Sequence, residues 1–598
     1  MITPWGEALD PEHVLPEYPR PQLVRDSYLT LNGWWEHAFT GAGVPRPPTR
    51  WDGRILVPFS PEAPLSGVGR RLQPDEALWY RRTFALPEGF VRDRVLLHLG
   101  AVDQDCEVWV DETYAGAHRG GYLPFALDVT EALAGSGDHE LVVRVRDVTD
   151  TSWRSRGKQS LRPGGIWYTA QSGIWQSVWL ESVPGQWVQR LALTPHLDTG
   201  ELEVMVEAGG AGEAGSAEVT VGAGSRTLAR ADVPLDVPTR LPLGPDPRPW
   251  SPEDPFLHDV VVRLGADRVT SYAGMRSVGV GADRRGRTRL LLNGEPYLHA
   301  GLLDQGYWPD GLYTAPADEA LAHDVRTARD LGFTVLRKHV KVEPLRWYHH
   351  CDRIGMLVWQ DLVNGGTRYR RAVVTSPAVA PLRLDDSRYR LFGRAEAEGR
   401  RELLSELDAT VELLCSVPSL AVWVPFNEGW GQFDAARVAD RVRRLDPTRV
   451  VDHASGWHDQ GAGDLASRHV YFRPYRLSRR DAEDARAAVL SEYGGYSHRV
   501  AGHTWSDQEF GYRKYADADA FALAFARLQH SQVGPAVEEG LAGFVYTQLS
   551  DVEQETNGLL TYDRRVVKLD ADGVRTSHRR LRERFRRATG GWARPVAV

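Results

Sequence analysis

Beyond residue 296 the chain alternates apolar runs with amphipathic stretches, and the number of those runs is what most constrains its fold. Strand-like segments occupy 297–303, 333–339, 356–362, 420–428, 449–455, 469–472, 488–495 and 543–551, which makes eight. Helical candidates lie between them at 317–332, 400–417 and 519–531, with apolar residues recurring every three and four positions. Eight parallel strands with intervening helices, all within 282–598, meet the arithmetic of a (β/α)8 TIM barrel. An open doubly wound sheet would need a glycine-rich phosphate turn after its first strand, and none follows residue 303.

The texture before residue 282 is different. WYRRTFALP (79–87), VLLHLGAV (95–102), CEVWVDETYAGAH (106–118), LVVRVRD (141–147) and WQSVWLESV (175–183) are short alternating segments parted by turn residues. Such spacing predicts a jelly-roll β-sandwich over 1–183. A second all-β region over 184–281, with ELEVMVEA and AEVTVGAG among its strands, predicts an immunoglobulin-like β-sandwich. Neither region carries a clustered acid–base pair, so both read as supports for the barrel. The expected fold is multidomain, β plus α/β.

Bulk properties exclude several function classes. A formal net charge of -8 argues against a duplex nucleic-acid partner, and the one basic run, 579–587, reads as the solvated face of a terminal helix. No window approaches the roughly 18 continuous apolar residues of a membrane span, and the first 20 residues lack the charged and apolar blocks of a leader. The expectation is a cytoplasmic protein without a membrane partner, and a homo-oligomer is compatible with it. Cys106, Cys351 and Cys415 are scattered without metal-ligand spacing and read as reduced core residues.

In a barrel of this kind chemistry sits where the strands end. The fourth run ends in Asn427-Glu428 (AVWVPFNEGWG) and the seventh in Glu492 (LSEYGGY), across the barrel mouth from each other. A lone glutamate at a strand end is more often a rim residue or a cap. Two facing carboxylates are what glycosidic cleavage needs, one protonated for the leaving oxygen and one ionised for the oxocarbenium-like centre. Further strand-end polar residues could line such a pocket: Asp304 and Gln305, Asp361 and Asn364, Gln548 and Asp551. Each of these reads equally well as structural. Trp359, Trp430 and Tyr546 could stack on a sugar face or fill the core.

These residues together resemble glycoside hydrolase family 2, the family of β-galactosidases, β-glucuronidases and β-mannosidases. YLTLNGWWEHAF, GAVDQDCEVWVDETYAGAHRGGYLPFALDVT and QSGIWQSVWLE are similar to its sugar-binding domain, RPWSPEDPFLHDVVV to the end of its immunoglobulin-like domain, and LLNGEPYLHAGLLDQGYWPDGLY to the opening of its barrel. The resemblance implies that Glu428 is the general acid/base and Glu492 the nucleophile. It further implies that Asn427 hydrogen-bonds the sugar 2-hydroxyl, that Arg337 keeps the nucleophile ionised, and that Tyr471, with Tyr475 as a rival, bonds the nucleophile. The implied activity is that of a retaining exo-β-glycosidase acting on a carbohydrate without a cofactor, β-galactosidase-like as first choice, with β-glucuronidase or β-mannosidase as alternatives.

The chain also departs from the family. The stretch after Arg337 reads KHVKV rather than a His-Tyr-Pro form, and the Asn-x-Lys pair that reads a glucuronate is replaced by Glu555-Thr556-Asn557. A carboxylate-bearing sugar is therefore disfavoured unless Lys338 or Lys341 reaches the pocket. The divalent-cation ligands of well-known β-galactosidases are not evident. A non-catalytic carbohydrate-binding protein is the alternative from another class, and it would not need the two glutamates. The connection at 365–385 is long for a β/α loop and is expected to wall the pocket.

Overall fold

The structure, a computed structural model, describes residues 1–590 except 134, 136, 380 and 381, so two positions of the 365–385 connection and the last eight of the 282–598 span lie outside the described residues. Eight strands make the barrel: β1 His299–Asp304, β2 Val335–Lys338, β3 Leu357–Asp361, β4 Leu420–Val424, β5 Val450–Val451, β6 Leu465–Val470, β7 Ala487–Gly494 and β8 Gly543–Thr547. Their order around the sheet is 5-4-3-2-1-8-7-6, with parallel neighbours throughout. No ladder joins β5 to β6 among the described residues. Side chains close that seam instead, with Ser455 Oγ 3.3 Å from Ser467 Oγ and 3.0 Å from His469 Nε2.

Successive side chains on a strand point to opposite faces, and this period sorts the barrel into two apolar layers. Val335, Trp359, Val422, Val489 and Val545 fill the interior, plugged from below by Trp250, Leu290 and Leu292. Leu336, Val358, Trp423, Leu490, Phe544 and Tyr546 face outward and pack against the helices. Helix α1 (Asp318–Asp330) shows how the sequence produces that outer layer: Ala320, Leu321, Val325 and Ala328 recur on its buried side. Asp318 and Glu319 sit in its first turn, where the helix dipole favours them. Asp318 also accepts from Arg346 and lies 3.0 Å from His350, both on helix α2 (Leu345–Ile354), which fixes the two helices side by side.

The sixth strand differs from its sequence reading. It begins at Leu465 rather than His469, because LASRHV alternates small and polar residues on its inner side and lacks the apolar continuity that marks the other strands. The helix expected at 519–531 is helical over Ala518–Leu528, then widens into a π turn at Gln529–Val533 before Gly534–Glu539.

Upstream, antiparallel sheets of six and four strands enclose one apolar core built from Trp35, Leu78, Leu97, Val108, Val143 and Leu180. The next region packs a three-stranded sheet on a four-stranded one. Its strand ELEVMVEAGG buries Leu202, Val204 and Val206 in strict alternation against Val219, Val221 and Val260. A loop from the first region then reaches the barrel mouth. Arg156 donates its backbone N–H to Asn364 O (2.9 Å) and its Nη1 to Gly366 O (2.6 Å), and a backbone bridge joins Ser155 to Gly365. A Cβ on Gly365 would collide with the Arg154 carbonyl, so this close crossing needs glycine.

Candidate active site

After β4 the chain curls inward over Pro425–Glu428. Glu428 adopts a left-handed backbone (φ 49°), a strain of about 1–3 kcal/mol for a non-glycine residue. Its N–H donates to Ser455 O at 2.9 Å, and Trp430 N–H closes the turn on Asn427 O at 2.9 Å. Gly429 and Gly431 take left-handed angles on either side of Trp430, and a Cβ on Gly431 would strike the Gly365 carbonyl. Glu492 reaches the mouth by another device: pairing of β7 with β8 slips between Leu490 and Tyr493, an irregularity that re-aims the side chain.

The two carboxylates meet. One oxygen of each, together with a ring nitrogen of His469, lie within 4.8 Å of one another. Glu492 Oε1 accepts from Arg337 Nη1 at 3.1 Å, and Glu492 Oε2 accepts a short bond from the Tyr471 hydroxyl. Arg337 is wholly buried, and it is held in turn by Asp361 through Nε (2.9 Å) and Nη2 (3.1 Å), while Nη2 also donates to Asn427 Oδ1 at 2.9 Å. Asp361 takes a further contact from His339 Nδ1 at 2.8 Å. With its oxygen turned to Arg337, Asn427 keeps its Nδ2 buried and without a partner, a donor available to a ligand.

Electrostatics divides the pair. Burial pushes Glu428 up to about 7, Lys158 and Arg337 pull it down in part, and Glu555 opposes them. Arg337 is held above its ordinary value because Asp361 and Glu492 outweigh the desolvation of the guanidinium. Glu428 is thereby fit to carry a proton near neutral pH, while Glu492 keeps a fixed cation and a hydroxyl donor that suit the ionised form. Glu428, His469 and Glu492 have ligand atoms close enough to hold a metal ion. The guanidinium on Glu492 already supplies positive charge at that point.

Not all residues anticipated from the sequence converge here. Trp430 does: its ring lies 5.7 Å from His339 and 5.2 Å from Trp167. Asp304 does not. It ends β1 on the outward side and is spent on Lys338 Nζ at 2.6 Å. Tyr546 does not either, for it faces outward from β8 among Tyr493 and Phe525, where it is core rather than a sugar platform. Gln548 is fully buried and ties Gln305 to Asn557, which donates to Glu555 Oε1, so it supports the wall without facing the carboxylates directly. Trp359 lies in the barrel interior, Asp551 pairs with Lys568, Asn364 donates to Tyr369, and Tyr475 packs in the outer core, leaving Tyr471 as the tyrosine on Glu492. Lys338 and Lys341 are both committed to Glu343.

Four residues were not foreseen. His469 stands between the glutamates, 2.8 Å from Glu428 Oε1 and 3.6 Å from Glu492 Oε2. Tyr512 stacks on Tyr471 with ring centroids 3.8 Å apart, and Trp457 lies 5.4 Å from His469 with its indole N–H unpartnered. Lys158 enters from the first sandwich, 3.6 Å from Glu555 and 3.3 Å from the Tyr168 hydroxyl. The sandwich is therefore part of the pocket and not only its support. A separate cleft of about 480 Å³ between that sandwich and the barrel, lined by Arg25, Trp175, Trp179 and Arg346, holds neither glutamate.

Comparison with known proteins places the chain. Residues 23–184 match the sugar-binding domain of glycosyl hydrolases family 2. A β-galactosidase of Thermoanaerobacter pseudethanolicus is 25% identical over 305 residues, 48% of this chain and 39% of that protein, so the chain spans well under half of this relative's length. Two solved structures share the fold across nearly the whole chain. The β-D-glucuronidase of Dictyoglomus thermophilum (TM-score 0.71, 17% identity) covers 94% of this chain and 98% of its own. The β-galacturonidase of Eisenbergiella tayi bound to galacturonate (TM-score 0.69, 19% identity) covers 94% and 99%. Its first sandwich thus matches the sugar-binding domain of glycosyl hydrolases family 2, and its fold, with two glutamates at the ends of β4 and β7, is similar to solved β-glycuronidases across nearly the whole chain.

Proposed function

We propose that the protein is a retaining exo-β-glycosidase that removes a terminal β-linked sugar by double displacement, with β-galactosides the first choice of substrate. The observation that carries this reading is the Glu428–Glu492 pair with unlike surroundings, oxygens within 4.8 Å of each other. That spacing suits direct attack by one carboxylate and leaves no room for the water an inverting pair must hold between them. Glu492 forms a bond to the anomeric carbon as the bond to the aglycone breaks, and Glu428 gives its proton to the departing oxygen. Water then enters, Glu428 removes its proton, and the sugar leaves with its configuration retained. The free Asn427 Nδ2 is placed to bond the 2-hydroxyl, an interaction that strengthens in such transition states.

Exo action is supported by the enclosure of the pair, whose side chains are only 11% and 5% exposed. A pocket so closed by Tyr512, Trp457 and Trp430 admits the end of a glycan and not its middle. The galactoside preference rests on the curated relative and on Glu555, whose carboxylate at the pocket wall suits sugar hydroxyls. One observation favours a second reading, a β-glycuronide substrate: Lys158 places an ammonium beside Glu428 where neither Lys338 nor Lys341 does.

A panel of nitrophenyl glycosides in both anomers, spanning galactose, glucuronic acid, galacturonic acid, mannose and glucose, decides between these readings. Release from a β-galactoside with the β-anomer as first product supports the first choice. A preference for a uronide that Lys158→Met removes supports the second, and an α-anomer as first product sinks the retaining mechanism. Because the acid form of Glu428 is the active one, kcat/KM falls as pH rises through about 7.

A further inference from the structure

His469 lies wholly within the barrel on β6, and its place between the two carboxylates is not explained by packing alone. Its Nδ1 is 2.8 Å from Glu428 Oε1, a hydrogen-bond length, and 3.6 Å from Glu492 Oε2, which is not one. Its Nε2 is 3.0 Å from Ser455 Oγ, which donates to Ser491 Oγ at 3.0 Å or, by rotating, to the ring. A ring nitrogen facing two carboxylate oxygens is best served by carrying the hydrogen, so we assign the Nδ1–H tautomer with Nε2 accepting from Ser455. Burial lowers His469 to about 4, and the ring is thus neutral when the site works.

We propose that His469 is a positioning residue whose single Nδ1–H, bonded to Glu428 Oε1 in the free enzyme, confines the Glu428 proton to Oε2 and stabilises the negative charge that Glu428 acquires in each turnover, an inference that rests on the double-displacement reading above. In the free enzyme Glu492 is ionised and Glu428 holds a proton. Because Oε1 of Glu428 accepts from His469, that proton is confined to Oε2, the oxygen left to face the leaving group. Bond formation between Glu492 and the anomeric carbon removes charge from Glu492, while loss of the Oε2 proton to the aglycone oxygen leaves charge on Glu428. The Nδ1–H bond to Glu428 then becomes charge-assisted and stronger. When water yields its proton to Glu428 and its oxygen to the sugar, the Glu492 ester opens, and charge returns to a carboxylate less than about 1 Å beyond hydrogen-bond reach. Arg337 and Tyr471 act on Glu428 only through space and give their hydrogen bonds to Glu492 alone among the glutamates, so they cannot play this part.

The groups that bear on Glu428 from other elements are Lys158, Arg337, Glu555, Glu492, Tyr471 and Tyr512, and those on His469 are Glu428, Glu492, Arg337, Asp361 and His339. All of these remain in place in His469→Leu and His469→Asn, so a change in titration reports on the ring itself. Asparagine returns an N–H near the Nδ1 position, whereas leucine keeps bulk and loses the donor.

The experiment is the pH profile and pre-steady-state course of both variants on the aryl glycoside found best for the wild type. Loss of the donor in His469→Leu is expected to move the alkaline limb of kcat/KM up by about one pH unit, since the charged form of Glu428 loses a hydrogen bond. It is also expected to slow deglycosylation by about 10-fold or more, so that a burst of aglycone appears. His469→Asn is expected to restore most of both. Unmoved limbs and no burst in a folded His469→Leu enzyme, or an asparagine variant no better than leucine, would overturn the proposal. Should the leucine variant not fold, ring ¹⁵N shifts of His469 in the intact wild-type chain decide: an Nδ1–H tautomer supports the proposal and an Nε2–H tautomer ends it. A wild type silent on every glycoside defeats the glycosidase reading itself, which is distinguishable from an active wild type with unmoved variants.

Discussion

Arg337 and Lys338 are neighbours on β2, both are buried, and each heads a cluster of carboxylates, but the two clusters are built for different ends. Arg337 points into the barrel and joins Glu492, Asp361 and Asn427. Around it stand polar atoms without protein partners, the Asn427 Nδ2 and the Trp457 Nε1. Lys338 points the other way, beneath the helices, and joins Asp304 and Glu343, with Lys341 on Glu343, Gly306 O and Tyr313 O. Two cations meet two anions there, leaving only Glu343 Oε2 without a partner. Buried charge by itself does not mark a site. What distinguishes the inner cluster is donor capacity left unspent beside two facing carboxylates, whereas the atom left over in the outer one is an acceptor.

The largest expected effect separates the clusters by chemistry. Glu492→Gln keeps the shape of the inner cluster and removes the proposed nucleophile, so kcat/KM on an aryl β-glycoside is expected to drop by about 10⁴-fold or more with little change in the unfolding midpoint. A variant that keeps a tenth of the activity would mean that Glu492 only lines the pocket.

Next comes the outer cluster. Lys338→Met leaves Asp304 without its cation and Glu343 with Lys341 alone, a buried imbalance that typically costs about 3–5 kcal/mol. Urea unfolding is expected to record that loss, while the folded fraction keeps the wild-type KM and pH profile. An altered pH profile in stable Lys338→Met enzyme would erase the division between the two clusters.

That division was only half legible in the sequence, for reasons of geometry. Apolar runs mark the barrel strands, β6 excepted, because a buried parallel strand is commonly continuously apolar, and Glu428 and Glu492 stand out because nothing apolar explains a carboxylate there. Strand alternation would also have sorted Asp304 and Tyr546 outward: Leu303 and Val545 face the barrel interior, so the residues that follow them face the helices. His469 was concealed because a histidine on a strand reads as a core residue until its partners on two other strands are known. Lys158 left no signal at all. Nothing in a loop some 270 residues before Glu428 tells which barrel strand it will cross, and the meeting is fixed by contacts visible only in the fold, the fit of Gly365 under Arg154 and the Arg156 bonds to Asn364 and Gly366.

A smaller effect tests the unspent capacity directly. Asn427→Ala removes the free Nδ2 and also the oxygen that Arg337 Nη2 contacts, and kcat/KM is expected to fall by about 10²-fold. The two losses can be parted with a 2-deoxy glycoside. If Nδ2 meets the sugar 2-hydroxyl, most of the penalty vanishes on that substrate. A penalty of equal size on both substrates would assign Asn427 to holding Arg337, and the inner cluster would then lose its claim to an open donor.

The smallest effect concerns a polar atom on the outward face of β8, away from the two carboxylates. Tyr546 carries a buried hydroxyl among Tyr493 and Phe525 with no well-formed hydrogen bond, its one neighbouring donor being the Tyr496 backbone N–H. An unpaired buried hydroxyl costs free energy, so Tyr546→Phe should leave stability unchanged or raise it by about 1 kcal/mol. Kinetics on any glycoside should stay within about twofold, because a change of 0.4 kcal/mol or less in the barrier is roughly that factor. A large fall in kcat would mean that the hydroxyl acts on the pocket through β8, and that the outward face of the strand takes part in the chemistry that the inward face displays.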